Sequence, residues 1–212
     1  MYHFAVFGDP ISHSRSPEIH QRFGRQLGIE VIYRKIQVKS QDFQRVVTEF
    51  FEKGGSGLNV TVPHKLRAYQ MAKENSEEAH IARACNTLMP AQTGLYGHNT
   101  DGLGLIDDLA RLNWTIVDAR ILILGAGGAV SGCIGPLLLK QPSEIVIANR
   151  SVEKAQALAE RFDRRVTAMG LSTLDTQGLN FDLVINGISA GLSGNVGVQL
   201  SDDGLHQSST LA

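Results

Sequence analysis

The run Ile121-Leu-Ile-Leu-Gly-Ala-Gly-Gly-Ala-Val130 constrains this chain more than any other stretch. Four consecutive apolar residues read as a buried strand. Gly125, Gly127 and Gly128 follow at once, and then comes the apolar run Cys133–Leu139, which reads as helix. Strand, glycine turn and helix together bring backbone N–H groups to a helix N-terminus, an arrangement that receives a pyrophosphate. Gly125 permits the tight turn, and Gly127 has no Cβ to hold a phosphate away. The third position of the fingerprint, normally Gly or Ala, falls on Val130, so the match is imperfect. Taken alone, the motif is also compatible with an ordinary strand-to-helix turn that binds nothing.

The next apolar stretch, Glu144-Ile-Val-Ile-Ala-Asn-Arg150, reads as a second strand. An NAD site places Asp or Glu at its end, for the ribose 2′-hydroxyl. Asn149 and Arg150 stand there instead, and Lys154 lies one helical turn on. Two cations suit a 2′-phosphate, so NADP is expected over NAD. The plain alternative is a solvated pair of charges at the start of a surface helix.

Composition excludes several classes. With 42% hydrophobic and 19% charged residues and a net charge of −1, nothing favours a nucleic-acid or anionic-membrane surface. The histidines lack metal-ligand spacing, and no metal is expected. Cys85 and Cys133 stand alone in apolar stretches and read as core residues rather than a disulfide. No apolar run approaches the ~20 residues that cross a bilayer, and the N-terminus lacks a signal-peptide pattern. A cytoplasmic setting is expected.

Upstream of residue 101 the pattern is that of a separate α/β unit. A strand over Tyr2–Phe7 leads to the serine-rich loop Ser12-His-Ser14-Arg-Ser16-Pro17. Ser16 is expected as a helix N-cap with Pro17 at the first helical position, and Ile19, Phe23 and Leu27 as the buried stripe. One cap does not account for Ser14 as well, so the loop presents hydroxyls either to a ligand or to its own backbone. In Gly57-Leu-Asn59-Val-Thr61-Val-Pro63-His-Lys65, period-two alternation puts Asn59 and Thr61 on one face and Leu58, Val60 and Val62 on the other. With Lys65 beyond them, they form a receptor for a hydroxyl- or carboxylate-bearing small molecule, or else the wet face of an edge strand. Asn86–Met89 and Leu95–Gly97 read as a hairpin. Asp101 opens a helix running to Leu112, where its carboxylate also suits the helix dipole.

As a set, Ser14-Arg-Ser16-Pro17, Asn59-Val-Thr61-Val-Pro63-His-Lys65, Asn86-Thr87, Asn99-Thr100-Asp101-Gly102, Gly125-Ala-Gly-Gly-Ala129 and Asn149-Arg150-Ser151 resemble the shikimate/quinate dehydrogenase family. The resemblance implies an N-terminal α/β substrate domain (1–100), a connecting helix and linker (101–120), a truncated Rossmann NADP-binding domain (121–190) and an irregular tail (191–212). It implies NADP-dependent, reversible reduction of 3-dehydroshikimate to shikimate. Ser14 and Ser16 would bind the substrate carboxylate, and Asn59, Thr61, Asn86 and Asp101 the ring hydroxyls. Lys65, also at the substrate, would form the catalytic pair with Asp101. Gly125, Ala126, Gly127, Gly128 and Ala129, with Asn149, Arg150 and Ser151, would hold the cofactor, joined by Lys154. Two residues depart from the pattern: Ser131 stands at a common arginine position, and Ile188 replaces a small or hydroxyl residue. The family's pattern also continues past Ala212. A remnant that binds substrate or nucleotide without turnover, and a quinate-accepting relative, are the alternatives. The expected partners are small molecules, with the chain a monomer or homodimer.

Overall fold

The computed structural model describes residues 1–174, 180–188 and the backbone of 208–210. The chain divides into two units, Met1–Thr100 and Asp101–Ala212.

In the first unit, β1 (Tyr2–Gly8), β2 (Val31–Gln37) and β3 (Gly57–Val60) are joined by helices α1 (Ser16–Gln26) and α2 (Phe43–Glu52). Parallel neighbours need such crossovers, and β1 pairs in parallel with both β2 and β3. After α3 (Lys65–Met71), the two-residue β4 (Glu74–Asn75) and α4 (Glu77–Ala82), the hairpin β5 (Thr87–Ala91) and β6 (Gly94–His98) closes the sheet. The order is β2-β1-β3-β5-β6-β4. Because β3 lies between β1 and β5, the edge-strand reading of Asn59 and Thr61 is overturned. Leu58 and Val60 alternate into a core with Phe7, Phe43, Val47 and Leu88.

Two local expectations for α1 fail. Its first residue is Ser16 itself, following Arg15, and no side chain caps it from that position. Instead the Ser14 hydroxyl accepts the Ser16 N–H at 3.3 Å, so Ser14 serves the helix start. The stripe of Ile19, Phe23 and Leu27 is 44, 52 and 72% exposed. The helix approaches the sheet through Gly24, where a Cβ would come within 2.8 Å of Val31 Cγ2. The missing side chain sets the contact, and Phe23 and Leu27 become walls of an apolar groove of about 460 Å³.

In the second unit, α5 (Asp101–Arg111) precedes β7 (Arg120–Leu124), α6 (Gly128–Leu139), β8 (Glu144–Asn149), α7 (Val152–Ala159), β9 (Val166–Gly170), β10 (Leu183–Asn186) and β11 (Ser208–Thr210). The parallel sheet has the order β11-β10-β7-β8-β9. The sequence leads one to expect four strands. The fifth, β11, pairs with β10 inside the segment expected to be irregular, which otherwise lies outside the described residues. Near-continuous apolar strands fit a parallel sheet buried on both faces. Ile121, Ile123, Ile145 and Ile147 pack with Val130, Ile134 and Leu137 on one side, and Leu122, Leu124, Val146 and Ala148 face the other.

Helix α5, expected as a connector, packs within this unit: Leu105, Ile106 and Leu109 join the α6 core. Gly102 makes that contact possible, since a Cβ there would meet the Gly132 carbonyl and the Pro136 ring of α6. Pro136 has no N–H to give the Gly132 carbonyl, which is the acceptor one turn back. Asp101 therefore starts a helix seated directly against the helix that follows the glycine turn.

Candidate functional site

In the first unit the polar residues are bonded to one another. The Ser14 hydroxyl donates to Ser16 Oγ at 3.1 Å. The Asn59 amide donates from Nδ2 to Thr87 Oγ1 at 3.1 Å and to the Asn86 carbonyl at 3.3 Å. Asn59 and Thr87 are register partners across β3 and β5, which is why they meet. The Thr87 hydroxyl donates to Asn86 Oδ1 at 3.0 Å. Asn86 then clamps Thr100: its Nδ2 donates to the Thr100 hydroxyl at 2.8 Å, and its Oδ1 accepts the Thr100 N–H at 3.2 Å. Thr100 is the last residue of this unit, so the pair ties down the unit's C-terminal end. Asn99 supports the same loop, buried and donating to the Ala84 carbonyl at 2.9 Å.

Thr61 follows β3, its N–H bonded to the Phe7 carbonyl at 2.9 Å. Lys65 is the first residue of α3 and half-buried, and its carbonyl accepts the Cys85 N–H at 2.9 Å. Between them His64 is fully buried, stacked on Phe43 with 4.6 Å between ring centroids, its Nε2 bonded to the Val38 carbonyl at 2.6 Å. A buried ring next to Lys65 anchors the start of α3 to the sheet.

In the second unit the strand, turn and helix stand as the sequence proposes. Gly125 has φ of +103°, a conformation that side chains rarely adopt, and its N–H donates to the Ala148 carbonyl at 2.8 Å. Gly127 occupies the N-cap position of α6 in extended backbone, and a Cβ there would meet nothing within 4 Å. That open space lies beside the Gly128 and Ala129 N–H groups, which a helix start leaves without intrahelical partners, a cradle for an anion. Val130 fits the third fingerprint position because Gly187, after β10, lacks the Cβ that would collide with the Val130 side chain. Ser131 is buried, and its hydroxyl accepts from Arg161 Nη1 at 3.0 Å, so a guanidinium reaches this position from beyond α7. Ile188 packs against the Leu122 and Val146 cluster.

At the end of β8, Asn149 Nδ2 donates to the Ser151 carbonyl at 2.9 Å, shaping the turn into α7. Arg150 and Lys154 are exposed cations at this helix start. Glu153 accepts from the Ser151 hydroxyl at 2.8 Å. Its carboxyl is held below the usual range, first by its own backbone N–H and then by Ser151. The open Gly127 cradle and the cation pair both fit a phosphorylated dinucleotide. Among the described residues there is no cluster that could hold a metal, and no helix is long and apolar enough to cross a membrane. Both cysteines are buried thiols, Cys85 donating to Asn75 Oδ1 at 3.1 Å, and burial pushes the Cys85 thiol up to about 12.

The sequence does not single out Tyr33. Its hydroxyl donates to Asn59 Oδ1 at 2.6 Å, and the partners lie 26 residues apart, beyond any local pattern.

A polar, internally bonded α/β unit, followed by a parallel sheet with a glycine turn and a cationic strand end, is the layout of a dinucleotide-binding α/β protein. Residues 6–88 match the shikimate dehydrogenase substrate-binding domain, and residues 108–193 match shikimate/quinate 5-dehydrogenase. The chain belongs to the shikimate dehydrogenase family. It is 48% identical over 194 residues to the shikimate dehydrogenase (NADP(+)) of Acinetobacter baylyi, covering 91% of this chain and 74% of that one. Among solved structures, shikimate dehydrogenase 1 of Peptoclostridium difficile is similar with a TM-score of 0.89 at 26% identity, covering 99% of this chain and 77% of that one. Shikimate 5-dehydrogenase of Thermus thermophilus, solved in complex with NADP(H) and shikimate, gives 0.77 at 29% identity, covering 89% and 69%.

Proposed function

We propose that the chain catalyses the NADP-dependent, reversible reduction of 3-dehydroshikimate to shikimate, a step of aromatic amino acid biosynthesis. The observation that carries this reading is the match of both halves of the chain to one family, at 48% identity to a relative named for this activity. The nicotinamide cofactor supplies or accepts the hydride when bound. The chain's own residues do the rest. Ser14 and Ser16 hold the substrate carboxylate, while Asn59, Thr61 and Asn86 hold ring hydroxyls. A ketone that gains hydride becomes an alkoxide and needs a proton in the transition state. Lys65 gives that proton to the carbonyl oxygen and takes it back in the oxidising direction. Asp101, whose charge favours the ammonium form, orients Lys65 and the hydroxyl. Gly125, Ala126, Gly127, Gly128 and Ala129 receive the pyrophosphate. Asn149, Arg150, Ser151 and Lys154 receive the adenosine 2′-phosphate. The chain acts as a cytoplasmic monomer or homodimer on small molecules.

The test follows NADPH formation from shikimate, with quinate in parallel and NADP+ binding measured separately. Turnover with shikimate is expected. Binding of NADP+ without turnover would overturn the reading in favour of a non-catalytic remnant. Lys65→Ala is expected to cut kcat by ~10²–10⁴, the usual contribution of a general acid, with NADP+ affinity unchanged. An unchanged rate at saturating shikimate would remove Lys65 from its role.

A further inference from the structure

Tyr33 stands between Ser16 and Asn59. Ser14 donates to Ser16 at 3.1 Å, and the Ser16 side chain lies near enough to the Tyr33 phenol to act on it. Tyr33 donates to Asn59 Oδ1 at 2.6 Å, and Asn59 donates onward to Thr87. Tyr33 thus joins the serine pair to the asparagine, the two groups proposed above to hold opposite ends of the substrate. Its ring is buried and cannot swing: His20 stacks on it at 4.4 Å and 23°, and the same His20 holds the Ser16 carbonyl through Nδ1 at 2.8 Å. Burial raises the phenol far above its usual range, so Tyr33 remains a protonated donor at every working pH. With Oδ1 taken by Tyr33 and Nδ2 by Thr87, the Asn59 amide has one orientation.

We propose that Tyr33 is a positioning residue that fixes the spacing between the carboxylate-binding serines and Asn59, and so selects a ring acid that spans both. The proposal rests on the functional reading above. Removing the hydroxyl takes away the polar group between Ser16 and Asn59 and leaves Asn59 Oδ1 without its donor, while Lys65 and the nucleotide residues keep their own contacts. The loss falls on substrate binding.

The test is Tyr33→Phe, which keeps the ring and its stacking on His20. Shikimate KM is expected to rise about tenfold, in keeping with a lost buried hydrogen bond, with kcat within about twofold and NADP+ KM unchanged. Ser16→Ala combined with Tyr33→Phe should raise KM by less than the product of the single effects, because the two side chains are neighbours. Shikimate methyl ester, lacking the carboxylate charge, should show a smaller penalty from Tyr33→Phe than shikimate does. Calorimetric binding of shikimate to both proteins gives the same comparison without turnover. Unchanged shikimate affinity, or a loss fully additive with Ser16→Ala, would overturn the role of Tyr33. A fall in kcat with both KM values constant would do the same, since it reports only a smaller folded fraction. A wild-type chain that neither binds nor turns over shikimate would instead overturn the functional reading itself.

Discussion

His64 shows what a single buried side chain contributes beside Lys65. Its Nε2 donates to the Val38 carbonyl, and its Nδ1 has no partner among the described residues. Burial lowers its pKa, offset in part by the Val38 carbonyl. Protonation would put an N–H on Nδ1 with nothing to receive it. Between the depressed folded value and about 6.5, the unfolded chain therefore binds more protons than the folded one. Stability from this group is complete above that window and falls as pH drops through it. His64→Phe keeps the stacking on Phe43 but cannot titrate. Urea midpoints at pH 7.5 and pH 5 should show the wild type losing more stability on acidification than the variant, and equal losses would count against the assignment. The sequence places His64 within a motif but does not reveal this role, because Phe43 and Val38 come from a distant part of the chain. Tyr33 escapes a sequence reading for the same reason. Asn59 and Thr61 are legible because a strand's period of two depends only on neighbours.

At the scale of elements, the turn between β7 and α6 is the best-read feature, and its glycines differ in kind. Gly125 is required by the backbone: at φ of +103° an alanine is strained, and its Cβ would lie 3.0 Å from the Gly187 carbonyl oxygen. Gly125→Ala should destabilise the second unit by on the order of 1–3 kcal/mol. On the proposed function Gly127 is required by the bound pyrophosphate: its φ of −88° suits any residue, and its missing Cβ faces open space. Gly127→Ala should leave the melting temperature unchanged and weaken NADP+ roughly tenfold or more, which is at least about 1.4 kcal/mol of binding. Thermal melts beside NADP+ titrations separate the two, and a Gly127→Ala protein that binds NADP+ normally would refute the cradle. The fingerprint shows both glycines but not the compensation at Val130, since Gly187 belongs to another strand end. Helix α1 misleads for a related reason. Its four-residue apolar spacing predicts a buried stripe, whereas close approach to the sheet is set by Gly24, and a periodicity argument gives glycine no weight.

For the whole molecule, the ordering of motifs along the chain already separates the proposed substrate residues in Met1–Thr100 from the proposed nucleotide residues in Asp101–Ala212, with Asp101 at the boundary. The short strands β4 and β11 were not legible, because two or three residues carry no periodic signal. Charge behaves differently. The net charge is −1 with both signs interspersed, so no overall positive field attracts an anionic cofactor. On the proposed function, preference for a 2′-phosphate comes from local cations, and Arg150 with Lys154 are the exposed pair at the start of α7. Because both cations are exposed and screened, together they contribute about 1.5–3 kcal/mol, so Arg150→Ala with Lys154→Ala should weaken NADP+ by about tenfold to a hundredfold. NAD+, which lacks that phosphate, should lose little, and shikimate affinity should not change. Because both side chains are exposed, added salt should erode NADP+ binding in the wild type more than in the double variant. Calorimetry with both nucleotides at low and high salt measures every term. Parallel losses for NADP+ and NAD+ would mean that the two cations hold the pyrophosphate or the fold, and that selectivity is built elsewhere.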